Sequence, residues 1–561
     1  TNEGSKSNHS HHSNETEQHS KTVKSFKQAT SINNTSVTSN TTIERKKLPK
    51  SRTVEYSSSQ DEKTLGEYYK KNHLFDPLTE KLKQAKVVES KDLGGNIDSM
   101  LDNNDMLVFA GEPLIEPTEE DLGKLPNNYV IGKKFGQKVF INTTTKEQTY
   151  LDPRIWALAT KDTSKNLYDD QILERLNKYL KHKQYAYLET IGNTYELVVK
   201  RSKMYQDAQK LLKIEPHIFV QKRLNVTFFN ERAIDLNGVK REFISHISQT
   251  LFDPGYGVFQ FQYSGIGNTK AKNYEVTINK FALNWCGKQD LKLSAIIFCL
   301  SFLYNCPLST FLSVQFIKAV FGHPLKLSDL KNDDKELYKS LKYLLQCEDP
   351  EDLCLNFSHS DHDIDGNMVD VDLIENGSEI MVDVDNRKEY VRTLLKYRYI
   401  KSLGEPLTIF QSEVSSILGS LKDVKNALTA EDIRHIVCGE QTVDLEDMRA
   451  NTQYANQLHA DHITVHHFWH FMAILSGLQK KAVLHFALSS FKAPVGGFKN
   501  LIAIDGKHMA FTIVGLNNKN DLISSSTCFH RLNIPIVTEY DTLKKMLIMA
   551  IDNSRGFGGI D

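Results

Sequence analysis

The pattern of apolar and polar residues predicts a polar N-terminal tail followed by a long folded unit. Residues 1 to about 60 are rich in Ser, Thr, Asn and His and carry few large apolar side chains, so they cannot bury enough surface to offset the entropy of ordering. From about residue 190 to the C-terminus, helical and strand-like patterns alternate with few long polar gaps. We therefore predict a disordered tail over 1–60 and one large mixed domain after 190.

Two shorter patterns lie between these regions. GQKVFIN (136–142) and EQTYLD (147–152) alternate around a Thr/Lys turn, which is typical of short antiparallel strands. Residues 168–183 carry apolar side chains at helical spacing and predict an amphipathic helix. Residues 61–122 have a mixed composition, from which we assign no function.

Composition narrows the class of protein. The net charge of −1 provides no global field that would recruit nucleic acid, and no apolar run reaches the ~18 residues of a membrane span. All seven cysteines lie at or after Cys286 and form no CxxC pair, which favours a reducing cytosolic or nuclear compartment over a disulfide framework. The chain begins at Thr1 rather than Met, so we expect upstream segments that could add a membrane-binding domain.

The predicted strands resemble a WW domain over residues 123–156. The resemblance rests on Leu125-Pro126, Gly136, Phe140-Ile141-Asn142 and Asp152-Pro153. Tyrosines stand where the family has its two tryptophans, and the peptide-binding face is altered; the four replacements are Tyr129, Tyr150, Val139 and Thr143. Binding of a Pro-rich ligand and a structural role both stay open, and no Pro-Pro-x-Tyr sequence occurs in the chain.

A string near the C-terminus carries the candidate chemistry. Ser526-Thr527-Cys528-Phe529-His530 is followed by Leu532-Asn533-Ile534-Pro535, a helical stretch and Gly556-Phe557-Gly558. A lone cysteine is usually a small buried apolar residue. This complete string resembles the active-site region of HECT ubiquitin ligases, which implies that Cys528 accepts ubiquitin as a thioester.

The resemblance extends back to about residue 190. The matching strings are Glu196-Leu197, Gly238-Val239-Lys240-Arg241-Glu242-Phe243, Pro254-Gly255-Tyr256-Gly257, Asn376-Gly377-Ser378-Glu379, Cys438-Gly439, Phe468-Trp469 and Gly497-Phe498. With the WW-like module it points to the WW–HECT subfamily. It implies an α+β multidomain fold with a degenerate three-stranded WW-like module and a bilobal HECT domain, in which a mainly helical N-lobe carries an inserted docking subdomain and an α/β C-lobe carries the cysteine.

These expectations divide the chain into successive segments. They are a tail (1–60), an unassigned stretch (61–122), the WW-like module (123–156), a linker helix (165–185), the N-lobe (190–491, with its docking subdomain at about 286–375) and the C-lobe (492–561).

Thioester exchange between two sulfurs needs little activation, because positioning supplies most of the acceleration. Thr527 and neighbouring amides are candidates to stabilise the oxyanion. By resemblance, the acidic C-terminal residue Asp561 would orient or deprotonate the acceptor lysine. The family usually has Asn where His530 stands, so His530 either modulates Cys528 or simply fills that position.

The resemblance also places the partner surfaces. The conjugating enzyme would dock on one face of a helix, formed by Leu337, Ser340, Leu341 and Leu344, with Ile364 nearby; apolar stripes of this kind are more often core. The segment with Ser489, Ser490 and Lys492 aligns with a hinge that lets the C-lobe swing.

Two metal patterns are weaker. Asp361 to Asp372 matches an EF-hand loop apart from its last position but lacks flanking helices, and His466 and His470 stand four apart on a predicted helix without a metalloprotease Glu. The resemblance implies neither metal nor cofactor.

The leading function is therefore a ubiquitin ligase that transfers ubiquitin from a conjugating enzyme through Cys528 to lysines of protein substrates. A catalytically weak scaffold that binds a conjugating enzyme and ubiquitin is the alternative, and a cysteine hydrolase is a third.

Overall fold

A computed structural model of the protein describes residues 87–88, 106–161, 171–183, 185, 193–231, 238–262, 275–440, 442–501 and 508–556. All of them belong to one compact unit, Ser58–Asp561. The tail predicted over 1–60 lies outside the described residues.

The described residues form both helices and strands along their length. The strands are β1 (Val87–Val88), β2 (Met106–Phe109), β3 (Glu112–Pro113), β4 (Tyr129–Lys134), β5 (Gln137–Asn142), β6 (Gln148–Thr149), β7 (Thr194–Val199), β8 (Arg223–Phe228), β9 (Phe259–Phe261), β10 (Val276–Ile278), β11 (Ser358–His362), β12 (Met368–Asp372), β13 (Thr452–Ala455), β14 (Phe511–Leu516), β15 (Ser524–Ser526) and β16 (Arg531–Pro535). The α-helices are α1 (Glu119–Leu122), α2 (Pro153–Thr160), α3 (Ile172–His182), α4 (Met204–Ala208), α5 (Ile218–Gln221), α6 (Gly238–Leu251), α7 (Ala282–Trp285), α8 (Lys288–Tyr304), α9 (Val314–Phe321), α10 (Leu330–Asp333), α11 (Lys335–Leu344), α12 (Arg387–Tyr399), α13 (Gly404–Leu418), α14 (Leu421–Ala427), α15 (Ala430–Cys438), α16 (Leu445–Ala450), α17 (Ile463–Ile474), α18 (Gly477–Leu488) and α19 (Tyr540–Gly556). The predicted α+β multidomain class is confirmed. None of the described helices is both long and apolar enough to cross a membrane.

Residues 106–160, which we call the N-terminal module, contain the predicted strands. β4, β5 and β6 form a three-stranded antiparallel sheet in that order. The β4–β5 turn uses Phe135 and Gly136, both with positive φ, and a Gly at such a turn relieves backbone strain. Helix α2 begins where the Asp152 carboxylate accepts the Arg154 amide and Pro153 occupies the first turn.

The large lobe, which we define as 172–324 and 400–438, is mainly helical around one apolar core. Its central helix α8 is buried over most of its length, as expected for a helix that is apolar all round. Helix α3 confirms the predicted amphipathic helix, but it is not a linker: its apolar face packs into this core, and Arg175 pairs with Asp432 at 2.6 Å.

The small subdomain, residues 325–399, has a separate core. Leu341 and Leu344 of α11 pack there with Phe357 and with Tyr390 of α12. The predicted limits of 286–375 are therefore corrected at both ends, because α8 and α9 belong to the large-lobe core whereas α12 closes the subdomain core.

The C-terminal lobe, residues 443–556, contains a four-stranded sheet of order β13-β14-β16-β15, with β15 antiparallel to β16. Its core also includes side chains of α17 and α18, such as Trp469 and Leu484. The predicted lobe boundary at 491/492 is wrong, because β13 already belongs to this sheet. The change of core falls between Cys438 and Val443.

The predicted hinge residues Ser489, Ser490 and Lys492 are buried inside the structure. Ser490 accepts the Lys492 amide and donates to the Lys492 carbonyl, which fixes the local backbone. Gly439, at φ 63°, lies where the chain leaves the large lobe, and a Cβ there would stand 2.9 Å from the Cβ of Lys492. The connection between the lobes is thus near Gly439 rather than at 489–492.

Candidate active site

Cys528 lies on a tight turn at the end of a hairpin. The turn, Thr527–Phe529, is a single 3-10 turn that connects β15 to β16. Cys528 is half-buried, whereas Phe529 beside it is 44% exposed. The hairpin therefore presents a thiol and an aromatic ring at one edge of the C-terminal lobe.

Four of the six other cysteines differ from Cys528 in their exposure. Cys299, Cys306 and Cys438 are buried in the large-lobe core, and burial raises the pKa of the Cys438 thiol to about 11. Such thiols stay protonated and inert near neutral pH. Cys354 is exposed but caps a short turn of the small subdomain, far along the chain from the hairpin motif.

His530 is the residue that caps the C-terminal end of this turn. It adopts the left-handed conformation at φ 50°, its amide bonds the Thr527 carbonyl at 3.3 Å, and its buried ring donates from Nδ1 to the Met509 carbonyl at 3.0 Å. Burial, together with nearby Arg241, lowers the pKa of His530 to about 4. Asn and His tolerate this backbone conformation better than most residues, so the geometry supports the reading in which His530 fills the Asn position, and its modulation of Cys528 stays a prediction.

The large lobe faces the cysteine through the start of α6. A methyl group placed on Gly238 would stand 2.5 Å from Cys528 Sγ and 2.9 Å from Thr527 Oγ1, so only glycine allows this approach. One turn further, Arg241 donates to the Leu488 carbonyl at 2.8 Å. Gly238 and Arg241 lie in a string noted from the sequence, but nothing in that string indicated that Gly238 lies against Cys528.

Further contacts seat the C-terminal lobe on the large lobe. Glu440 bridges to Ala493 and accepts the Gly496 amide at 3.2 Å. The buried Lys492 lies over the ring of Phe311 at 5.4 Å, and burial lowers the pKa of Lys492 to about 7. With the lobes seated in this way, Cys528 Sγ faces the start of α6.

Of the two remaining predicted catalytic residues, one lies among the described residues and the other does not. Thr527 directly precedes Cys528 on the turn, and its role in stabilising the oxyanion stays a prediction. Asp561 lies outside the described residues.

The predicted docking face of α11 is only partly available. Leu341 and Leu344 are buried in the small-subdomain core and Leu337 packs against it, so an exposed docking role is wrong for Leu341 and Leu344. Ser340 and Ile364 are exposed, and their docking role stays a prediction. Several other apolar side chains of the subdomain are exposed, which are Tyr343, Leu353, Met368, Val369, Ile380 and Met381.

The two metal patterns have other structural roles. Asp361 to Asp372 forms the β11–β12 hairpin, in which Asp363 accepts amides of its own turn and Asp361 pairs with Lys280. His466 accepts the Tyr150 amide, and the His470 ring meets the Tyr540 ring edge-on. Within the described part of the chain, no three such side chains form a metal-binding group.

Comparisons with known proteins agree with this geometry. A family model described as HECT-domain (ubiquitin-transferase) matches residues 245–560. The chain is 27% identical over 452 residues to the E3 ubiquitin-protein ligase Nedd-4 of Drosophila melanogaster, covering 79% of this chain and 43% of that protein. It is also 27% identical over 440 residues to the E3 ubiquitin-protein ligase RSP5 of Saccharomyces cerevisiae, covering 78% and 52% respectively.

The chain thus spans about half the length of the curated relatives it matches. The family model, however, covers more than half of this chain and includes the Cys528 hairpin, the small subdomain and most of the large lobe. On that basis the protein belongs to the HECT-domain family of ubiquitin transferases.

Proposed function

We propose that the protein is a ubiquitin-protein ligase that carries ubiquitin on Cys528 and passes it to lysines of protein substrates. The observation that carries this proposal is the Thr527–Phe529 turn, which places one thiol at the edge of the lobe inside the region matched by the family. The reducing compartment that suits its free thiols is the cytosol or the nucleus.

Two acyl transfers make up the reaction. In the first, the Cys528 sulfur attacks the thioester carbonyl of a charged conjugating enzyme, a new S–C bond forms, and the conjugating-enzyme thiolate leaves. In the second, a neutral substrate amine attacks the Cys528 thioester, an amide bond forms, and the amine proton goes to a nearby base as the Cys528 thiolate leaves. Thr527 is our candidate for stabilising the oxyanion, and Asp561 our candidate for the base.

The small subdomain supports recruitment of the conjugating enzyme. Its exposed apolar side chains include Tyr343 at 61% and Met368 at 62% exposure, which is unusual for a small domain that must stay soluble. We place the docking surface among these exposed side chains, together with Ser340 and Ile364, rather than on the buried stripe of α11.

The three-stranded sheet supports a WW-like assignment for residues 123–156 within the WW–HECT subfamily. The strand order, the β4–β5 turn at Gly136 and the position of Pro153 after β6 all suit that module. Tyr150 is half-buried against His466 and His467, and Val139 is buried, so the face that would bind a Pro-rich ligand is not open.

The test is a charging reaction. Purified chain is mixed with ubiquitin, activating enzyme and a panel of conjugating enzymes and separated on non-reducing gels, beside Cys528→Ala. Cys354→Ala is the matched control, because Cys354 is the exposed cysteine outside the hairpin. A thiol-sensitive adduct that is lost only in Cys528→Ala supports the ligase. A folded chain that binds a conjugating enzyme but forms no adduct would contradict the ligase and favour the scaffold function.

A further inference from the structure

The N-terminal module shares a core with the C-terminal lobe. Phe109, Leu151 and Ile155 belong to the same buried cluster as Trp469 and Leu543. The indole of Trp156 meets that of Trp469 edge-on, with centroids 6.1 Å apart. A core built from two distant stretches of chain is the arrangement of one folded domain rather than of two modules in loose contact.

Polar contacts fix the register of this packing. The Gln479 side chain in α18 donates to the carbonyls of Phe109, Glu112 and Pro113 at 3.2 to 3.4 Å. The Ala110 amide donates to the Asp552 carboxylate at 3.2 Å. These bonds satisfy main-chain groups that would otherwise lose water on burial, so the docked position is specific.

The sheet of the module is held by a second set of residues of the lobe. Gln137 donates to the Thr538 carbonyl at 2.6 Å and to Glu539 at 3.1 Å. The Tyr150 amide donates to His466 Nδ1 at 3.0 Å, and the Tyr150 ring also lies 6.2 Å from that of His467. Burial lowers the pKa of His466 to about 4, so near neutral pH the ring keeps the unprotonated nitrogen that accepts this bond.

We infer that the partner of the N-terminal module is this chain's own C-terminal lobe, and that the module moves with that lobe as one body. The docking does not depend on the proposed WW-like assignment. Only the identification of Tyr150 with the peptide-binding face depends on it. Tyr150 stands where the family has its ligand-binding Trp, and it is the residue engaged by His466 and His467.

This docking gives the C-terminal lobe two covalent connections to the large lobe. One runs through Gly439, and the other through residues 162–170, which join the docked α2 to α3 on the large lobe. Nine residues reach roughly 30 Å when fully extended. The module therefore sets an upper limit on the distance that the C-terminal lobe can travel from α3.

The test is to cut the second connection. A site-specific protease sequence replaces part of 162–170 in the full chain, and the cleaved protein is analysed by size-exclusion chromatography. We expect the N-terminal piece to co-elute with the remainder. Release of that piece from the folded wild-type sequence would overturn the inference, and the result is independent of ubiquitin transfer.

Two variants sharpen the test. Gln137→Ala combined with Trp156→Ala removes contacts from the module side alone, and we expect the cleaved piece to be released. Phe135→Ala is the control, because Phe135 lies on the same hairpin, is 87% exposed and should leave the piece bound. In the uncut chain, a Pro-Pro-x-Tyr peptide should show no saturable binding; saturable binding would contradict an inward-facing module.

Discussion

The small subdomain and the C-terminal lobe are both attached to the large lobe, but they are built in opposite ways. The subdomain makes its core from one continuous segment, 325–399, and leaves apolar side chains such as Tyr343 and Met368 in solvent. The C-terminal lobe draws its core from two distant segments and is covered by the N-terminal module and by α6. The subdomain therefore leaves apolar surface in solvent, whereas the C-terminal lobe buries its apolar surface against other parts of the chain.

The largest expected effect tests the shared core. Trp469→Ala should cost about 3–5 kcal/mol, because it removes a fully buried indole that bonds Tyr454 and packs on Trp156. Hydrogen exchange should increase both in the C-terminal lobe and in the N-terminal module. Phe357→Ala, in the subdomain core, should loosen the subdomain alone. If Trp469→Ala left the hydrogen-exchange protection of the module unchanged, the module and the C-terminal lobe would not share a core.

The next prediction concerns the exposed apolar side chains of the small subdomain. Tyr343→Ala should leave the fold intact, since the ring is 61% exposed, but weaken conjugating-enzyme binding roughly tenfold, as aromatic interface residues commonly do. Binding is measured by titration of an uncharged conjugating enzyme. Trp285→Ala removes another exposed aromatic ring, from the large lobe, and should not change that affinity. Equal affinities for wild type and Tyr343→Ala would move the docking surface elsewhere.

The lobe junction should respond to pH through Lys492. Burial lowers its pKa to about 7 from the usual 10.5, with Lys481 adding repulsion. Between these pH values the unfolded chain binds more protons, so this group makes stability rise with pH, by at most about 1.4 kcal/mol per unit. Urea midpoints from pH 7 to 10 should show a flatter profile in Lys492→Met. Identical profiles would mean that Lys492 is not buried at the junction.

The smallest expected effect tests whether His530 only fits the left-handed backbone of the turn or takes part in the chemistry. His530→Asn keeps a residue suited to left-handed backbone and loses the bond to Met509, so the cost should stay under about 1 kcal/mol. Charging of Cys528 should keep its rate and its pH profile. A changed pH profile in a folded His530→Asn protein would instead assign His530 a role in the chemistry.

The sequence predicted the strands of the N-terminal module and helix α3, because each is carried by a local period. The motif around Cys528 also marked a turn that the structure contains, and the role of Cys528 as the nucleophile stays a prediction. It misplaced the lobe boundary, since β13 joins its sheet by pairing with β14, far along the chain. Local pattern also cannot tell whether an apolar stripe faces its own core or a partner, and in α11 Leu341 and Leu344 face the core. The position of Gly238 against Cys528 is likewise a long-range contact.

If Cys528 carries ubiquitin between two acyl transfers, as we propose, a single-turnover chase should reveal the intermediate. A conjugating enzyme charged with labelled ubiquitin is mixed with the chain, and samples are followed on non-reducing gels as a lysine-containing acceptor is supplied. We expect a thiol-sensitive adduct on the chain that appears first and decays as amide-linked product forms, with both absent in Cys528→Ala. Product that forms equally well in Cys528→Ala would contradict this proposal.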